Sequence, residues 1–118
     1  MPGSYAAGFL AGQLRPANTT AATLYTATLK SEITRILIAN TTGSAATFRL
    51  FHDDDGTTMD ETTALVWDNS VASGAYVDLQ AYLDGAGITI AAGGSLGCRS
   101  GTGNALTFSV YAVVLDAR

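Results

Sequence analysis

Charge is scarce in this sequence: Asp, Glu, Lys and Arg make up 14% of its 118 residues, against roughly 25% in an ordinary soluble domain. The six basic residues, Arg15, Lys30, Arg35, Arg49, Arg99 and Arg118, form no run, and the net charge is −4. Phosphate backbones and anionic membrane surfaces both need clustered Lys and Arg, so neither nucleic acid nor membrane is expected as a partner. Cysteine is limited to Cys98, which cannot form an internal disulfide and reads as a small buried hydrophobe. Histidine is limited to His52, which leaves any nucleophile a single choice of imidazole base. No apolar run approaches the length of a membrane span. The start, MPGSYAAGFLAG, has neither a basic n-region nor a sustained apolar h-region, so it fails as a signal peptide and folding in a cytoplasm is expected. Helix-period patterns of useful length are also missing.

What is present is β-branched residues punctuated by Gly or Asn about every ten residues, the spacing of a sandwich or barrel. One all-β domain is expected at this length. The leading architecture is a two-sheet sandwich of jelly-roll or Greek-key (Ig-like) type with about eight strands, and a small barrel is the alternative. Residues 1–20 are small and broken by Pro2, Gly3, Gly8, Gly12 and Pro16, which predicts an extended N-terminal arm ahead of a sandwich over 21–118. The run from Ala22 to Leu29 suits a strand with one wet face. Ile33–Ala39, nearly continuous in Ile and Leu, suits a central one. Asn40-Thr41-Thr42-Gly43 then reads as a turn, with Ala46–His52 as the returning strand of a hairpin. Phe48 and Leu50 share one face of it, opposite Arg49 and Phe51. Further strands are expected around Ala64–Asp68, with Trp67 as a core anchor, at Val77 to Leu79, at Ile88–Ile90 and at Ser95–Ser100. Ala105–Leu115 is the clearest strand, and its second half, apolar on both faces, predicts a central position.

Constellations that carry chemistry are incomplete. The acidic stretch from His52 to Glu61 gathers Asp53, Asp55 and Asp60 around Gly56, as oxygen-ligand loops for Ca²⁺ do. An EF-hand count from Asp53 puts Thr57 fifth and Ala64 twelfth, so the bidentate ligand is missing and a solvated Asp-Gly turn explains the loop as well. Gly93-Gly94-Ser95-Leu96-Gly97 matches the letters of a nucleophile elbow, but no helical pattern follows Ser95. Asp53–Asp55 with Asp78 or Asp84 offers paired carboxylates for glycoside hydrolysis, without a spacing that demands it. Gly101-Thr102-Gly103-Asn104 precedes a strand, which removes the helix N-terminus a phosphate cradle needs and makes it a hairpin turn. No catalytic residue, cofactor or metal is expected. The low charge instead favours association, although Thr, Ser and Asn also supply surface polarity.

The order of Leu24-Tyr25-Thr26, Ile33–Asn40 with Thr41-Thr42-Gly43, Ala45-Ala46-Thr47-Phe48-Arg49-Leu50, the HDDDGTTMDE loop and Ala105–Leu115 resembles small virion structural proteins of tailed bacteriophages. The resemblance covers about residues 20–115. It implies a non-enzymatic role on the particle, as capsid decoration, an ornament of the neck or head-to-tail region, or a module of a tail appendage. It further implies capsid, portal or tail proteins as partners, a homo-oligomer, and a virion location after synthesis in the host bacterial cytoplasm. Tyr5, Phe9, Leu10 and Leu14, spaced among small residues, are candidates for seating the arm on an adjacent subunit; the alternative is that the arm folds back as the first strand of its own sandwich. A carbohydrate-binding appendage would want exposed aromatics beside carboxylates, for which Tyr76, Tyr82 and Asp84 are the candidates.

Overall fold

The computed structural model describes residues 8–79 and 87–115. Among these residues nine strands form two antiparallel sheets: β1 (Phe9–Leu14), β2 (Ala22–Thr26), β3 (Ser31–Asn40), β4 (Ala46–Asp53), β5 (Ala64–Val71), β6 (Tyr76–Asp78), β7 (Ile88–Ile90), β8 (Ser95–Ser100) and β9 (Leu106–Val114). One sheet runs β1-β9-β3-β6, with β7 also paired to β3, and the other runs β2-β8-β4-β5. β6 pairs Leu37–Ala39 and β7 pairs Ser31–Ile33, so two short strands share one position beside β3. Read along both sheets, the strands fall in consecutive pairs: β1 with β2, β9 with β8, β3 with β4, and β6 or β7 with β5. This is jelly-roll wrapping, which selects that form of sandwich over the Ig-like one.

The period-two pattern explains which side chains enter the core. Ile33, Ile36 and Ile38 of β3 and Leu106, Phe108, Val110 and Ala112 of β9 point inward and are fully or almost fully buried. A register shift between Ile33 and Arg35 lets Ile33 and Ile36 face the same side despite their odd spacing. Leu24, Phe48, Leu50, Val71, Leu96 and Cys98 complete the core, with Phe48 and Phe108 edge to face at 6.3 Å between centroids. Both β3 and β9 are central, as their apolar runs predict. The outer side of β3 is only half-buried at Leu37 and Ala39.

Three expectations need correction. Asn40–Gly43 is not a hairpin turn, because β3 and β4 lie in different sheets. Asn40 is buried and holds this corner: its amide Nδ2 donates to Ser44 O at 2.8 Å and Val71 O at 3.0 Å, while its Oδ1 accepts from Thr42 N. For the same reason Gly101–Asn104 is not a hairpin turn, since it carries the chain from β8 in one sheet to β9 in the other. A period of two tells which face a residue takes, not which sheet its strand joins. Finally, Trp67 is no core anchor, being 42% exposed on the outer face of β5. A bulge sets two residues, Trp67 and Asp68, against Arg49, with Asp68 in the left-handed region at φ 57°. The Arg49 guanidinium lies 3.5 Å over the Trp67 ring and donates from Nε to Asp68 Oδ1 at 2.7 Å and from Nη2 to Oδ2 at 3.0 Å. Cation–π stacking and a bidentate ion pair thus hold the indole at the surface.

Candidate functional site

Most of the described groups named above as chemical candidates have structural roles. Cys98 is buried, and desolvation pushes its thiol up to about 12, where the nucleophilic thiolate is negligible. Ser95 stands on β8, a strand flanked by strands, and its hydroxyl donates to Gly56 O. His52 lies near the end of β4 with a buried Nε2 that makes no hydrogen bond and lies 3.6 Å from Asp54 Oδ1. In the acidic loop Asp53 accepts from the backbone N–H groups of Thr58 and Asp55, and these bonds hold its carboxyl below the usual range. Hydrogen bonding from Thr62 does the same for Asp60. Asp55 is raised, chiefly through its hydrogen bond and repulsion with Asp53. These carboxylates act as turn acceptors. Among the described residues, no three His, Cys, Asp or Glu side chains are grouped to hold a metal, and no helix is long and apolar enough to cross a membrane.

What the fold does present is two unlike edges and one textured face. At the first edge β1 lies outermost on β9, so residues 9–14 take the second of the two fates considered for the arm and fold back on their own sandwich. Gly12 makes the fit possible. A Cβ there would stand 2.1 Å from Leu24 O of β2, so only glycine lets the two edge strands meet and close this side. Ala11 and Leu14 pack against the core, whereas Phe9 is 40% and Leu10 47% exposed. Tyr5 lies outside the described residues.

Among the described residues, the opposite edge is not sealed in this way. A groove of about 570 Å³ runs between β5 and the β6–β7 side, walled by Leu65, Val66, Trp67, Asn69, Leu79 and Ile88 and reaching Ile36 and Leu50 of the core. None of these carries a charge. Trp67 and the 46%-exposed Leu65 form its outer lip, and Phe51 supports the indole edge-on at 6.3 Å. Phe51 is itself buried, yet outside the main core, on the side of the sheet where Met59 of the acidic loop fills the space a Cβ of Gly97 would need. The sequence signal for this outer cluster is Gly97 directly across from Phe51.

The textured face is the outer side of the first sheet. Tyr76, 69% exposed, stands beside Ala39, and Tyr111 stands beside Arg35. Arg35 Nε lies 3.6 Å from Asp78 Oδ2. Two shallow recesses, of about 460 and 440 Å³, share Arg35 and Leu37. Tyr82 and Asp84 lie outside the described residues.

No protein-family model and no curated protein matches the sequence. Solved structures do share the fold. The nucleoplasmin-like N-terminal domain of Drosophila FKBP39 aligns with a TM-score of 0.54 at 13% identity, over 100% of this chain and 99% of that one. A chain of the cyanophage Pam1 capsid asymmetric unit gives 0.52 at 13% identity over 98% and 91%. A chain of the infectious bursal disease virus Gx strain gives 0.51 at 13% identity over 95% of this chain, which spans 33% of that longer one. At such identities the likeness is one of fold. It places the chain in an all-β architecture used in virus capsids and, in FKBP39, outside them.

Proposed function

We propose that the chain is a non-enzymatic structural protein of a bacteriophage particle that decorates or reinforces the capsid or the head-to-tail neck, in many copies and in contact with its own kind. The observation that carries the reading is the pairing of a jelly roll with exposed apolar side chains at both sheet edges: Phe9 and Leu10 at one, Leu65 and Trp67 at the other. A surface with so few charges has little to hold neighbours apart, and contiguous exposed apolar residues mark contact sites. The cyanophage capsid neighbour, alike over nearly its full length, supports the same reading. Tyr5, Phe9, Leu10 and Leu14 are the proposed contact residues of the N-terminal segment, with Leu14 acting from beneath by seating β1 on the core.

Quantitative mass spectrometry and imaging of purified particles test this. On the order of hundreds of copies per particle means capsid and about a dozen means neck, because each location imposes its own closed symmetry. Absence from the particle overturns the proposal. A second reading, a receptor-binding appendage module contacting carbohydrate, is favoured by Tyr76, exposed beside the Arg35–Asp78 pair in a recess that also holds Thr107 and Ser109. Glycan-array binding that Tyr76→Ala abolishes supports that alternative, and a blank array removes it.

A further inference from the structure

From Asp53 to Thr63 the sequence has a single apolar side chain, Met59. The first half of this loop is tied to the sandwich by polar groups: Ala91 N donates to Asp54 Oδ1 at 3.2 Å, and Ser95 Oγ donates to Gly56 O. In the second half the hydrogen bonds close within the loop, from Thr58 N to Asp53, from Thr62 N to Asp60 and from Thr63 Oγ1 to Thr58 O. Met59 supplies the apolar contact of that half with the second sheet, and Gly97 is its socket. Gly97 lies in β8, between β2 and β4, where a glycine weakens the strand and marks a close approach. A Cβ at Gly97 would stand 2.5 Å from Met59 Sδ, 2.8 Å from Cε and 2.9 Å from Cγ, so the thioether lies directly on the bare backbone. Phe51 is directly across from Gly97 on β4 and is buried outside the main core. Met59 itself is half-buried, which leaves it in reach of small solutes.

We infer that Met59 is a site of oxidation by peroxides, and that its modification releases the second half of the acidic loop from the sheet. The thioether sulfur donates an electron pair to one peroxide oxygen and the O–O bond breaks. With hydrogen peroxide, the proton of the transferred hydroxyl passes to the departing one, which leaves as water. Sulfur is oxidised by two electrons and the peroxide reduced by two, giving the sulfoxide. The sulfoxide oxygen is a strong acceptor, and β8 is already paired on both sides of Gly97. The socket therefore offers it no partner that water does not offer better, and the side chain leaves. Cys98, the other described sulfur, does not compete, because it is buried and its thiol is held protonated. The inference applies to a free monomer and to a particle subunit alike.

The test treats the full chain with hydrogen peroxide, locates the added oxygen by peptide mapping and follows amide hydrogen exchange. Oxidation at Met59 is expected to speed exchange over residues 57–63 about tenfold, as a local opening does, while β3 and β9 keep their protection. A methionine sulfoxide reductase with a thiol reductant is expected to restore the slow exchange. Met59→Leu keeps an apolar side chain without the sulfur, so its loop is expected to stay protected in peroxide. Met59→Gln, polar and unbranched, is expected to open the loop with no peroxide present. Gly97→Ala fills the socket and is expected to make Met59 oxidise faster. Circular dichroism checks that each variant keeps the fold. The inference is overturned by a Met59 that stays unmodified under peroxide that oxidises free methionine, or by a sulfoxide that leaves exchange over 57–63 unchanged. A Met59→Leu loop that opens in peroxide as the wild type does overturns it equally.

Discussion

The two edges of this sandwich solve the same problem differently. A pair of twisted sheets has two sides along which edge strands leave apolar residues near water. At the β1–β2 side the solution is steric: Gly12 lacks a Cβ, so β1 settles onto the Leu24 carbonyl and the side closes on itself. At the β5–β7 side no glycine among the described residues plays that part. The bulge at Asp68 turns Trp67 outward, Arg49 and Asp68 fix it there, and the described residues leave an apolar groove beside the core. One edge is sealed by a missing side chain, and the other presents the exposed side chains of Leu65 and Trp67.

The comparison can be broken most severely at the closed edge. Gly12→Val is expected to cost about 3 kcal/mol, the upper range for overpacking a tight contact, and to lower Tm by roughly 10 °C in calorimetry. A variant that melts as the wild type does would mean that the β1–β2 contact is not the seal described here. Among the ties on the β5 side is Asn40, which reaches from β3 to the Val71 carbonyl of β5. Asn40→Ala is expected to cost about 2 kcal/mol in chemical denaturation, because buried acceptors lose their donor. Leu65→Glu, at the exposed lip of the groove, is expected to change stability by less than about 0.5 kcal/mol, so that its effect on association stands apart from folding.

The smallest effect is on pH dependence. Asp53, Asp60 and Asp68 are all held below the ordinary carboxylate range, Asp53 by backbone N–H groups, Asp60 by Thr62 and Asp68 by Arg49. The unfolded chain therefore takes up these protons first as pH falls. Their stabilisation is complete above the unfolded carboxylate value and is lost as pH drops through the lower, folded values. Asp55 runs the other way, since its raised value favours the folded protein when it is protonated and is lost as pH rises through it. The net expectation is a small decline of Tm below the carboxylate range, shallower in Asp68→Asn. An unchanged slope in that variant would show that the Arg49 pair adds nothing.

Much of this architecture was legible because alternation is a local property. β3 and β9 announce themselves through isoleucines and valines at inward positions, and both prove central. The connections were not legible. Asn40 and Asn104 carry turn chemistry that serves a hairpin and a corner between sheets equally well, and only packing of the whole chain decides between them. Size alone marks Trp67 as a core residue. Its surface place depends on Arg49, eighteen residues earlier in the sequence, and on a bulge that no period reveals. The candidate contact residues divide in the same way. Phe9 and Leu10 stand out as bulky residues among small ones, while the groove draws on four strands and the segment after β6, so it exists only in three dimensions.

The place of β9 bears on how the protein is made. It follows every other described strand, yet it lies between β1 and β3, so those two strands leave the ribosome before the partner they share. Non-local pairing of this kind is slow and comes late. The β1 edge consequently has no β-sheet to stand on until β9 has been made, which postpones any contact through that edge until β9 has joined the sheet.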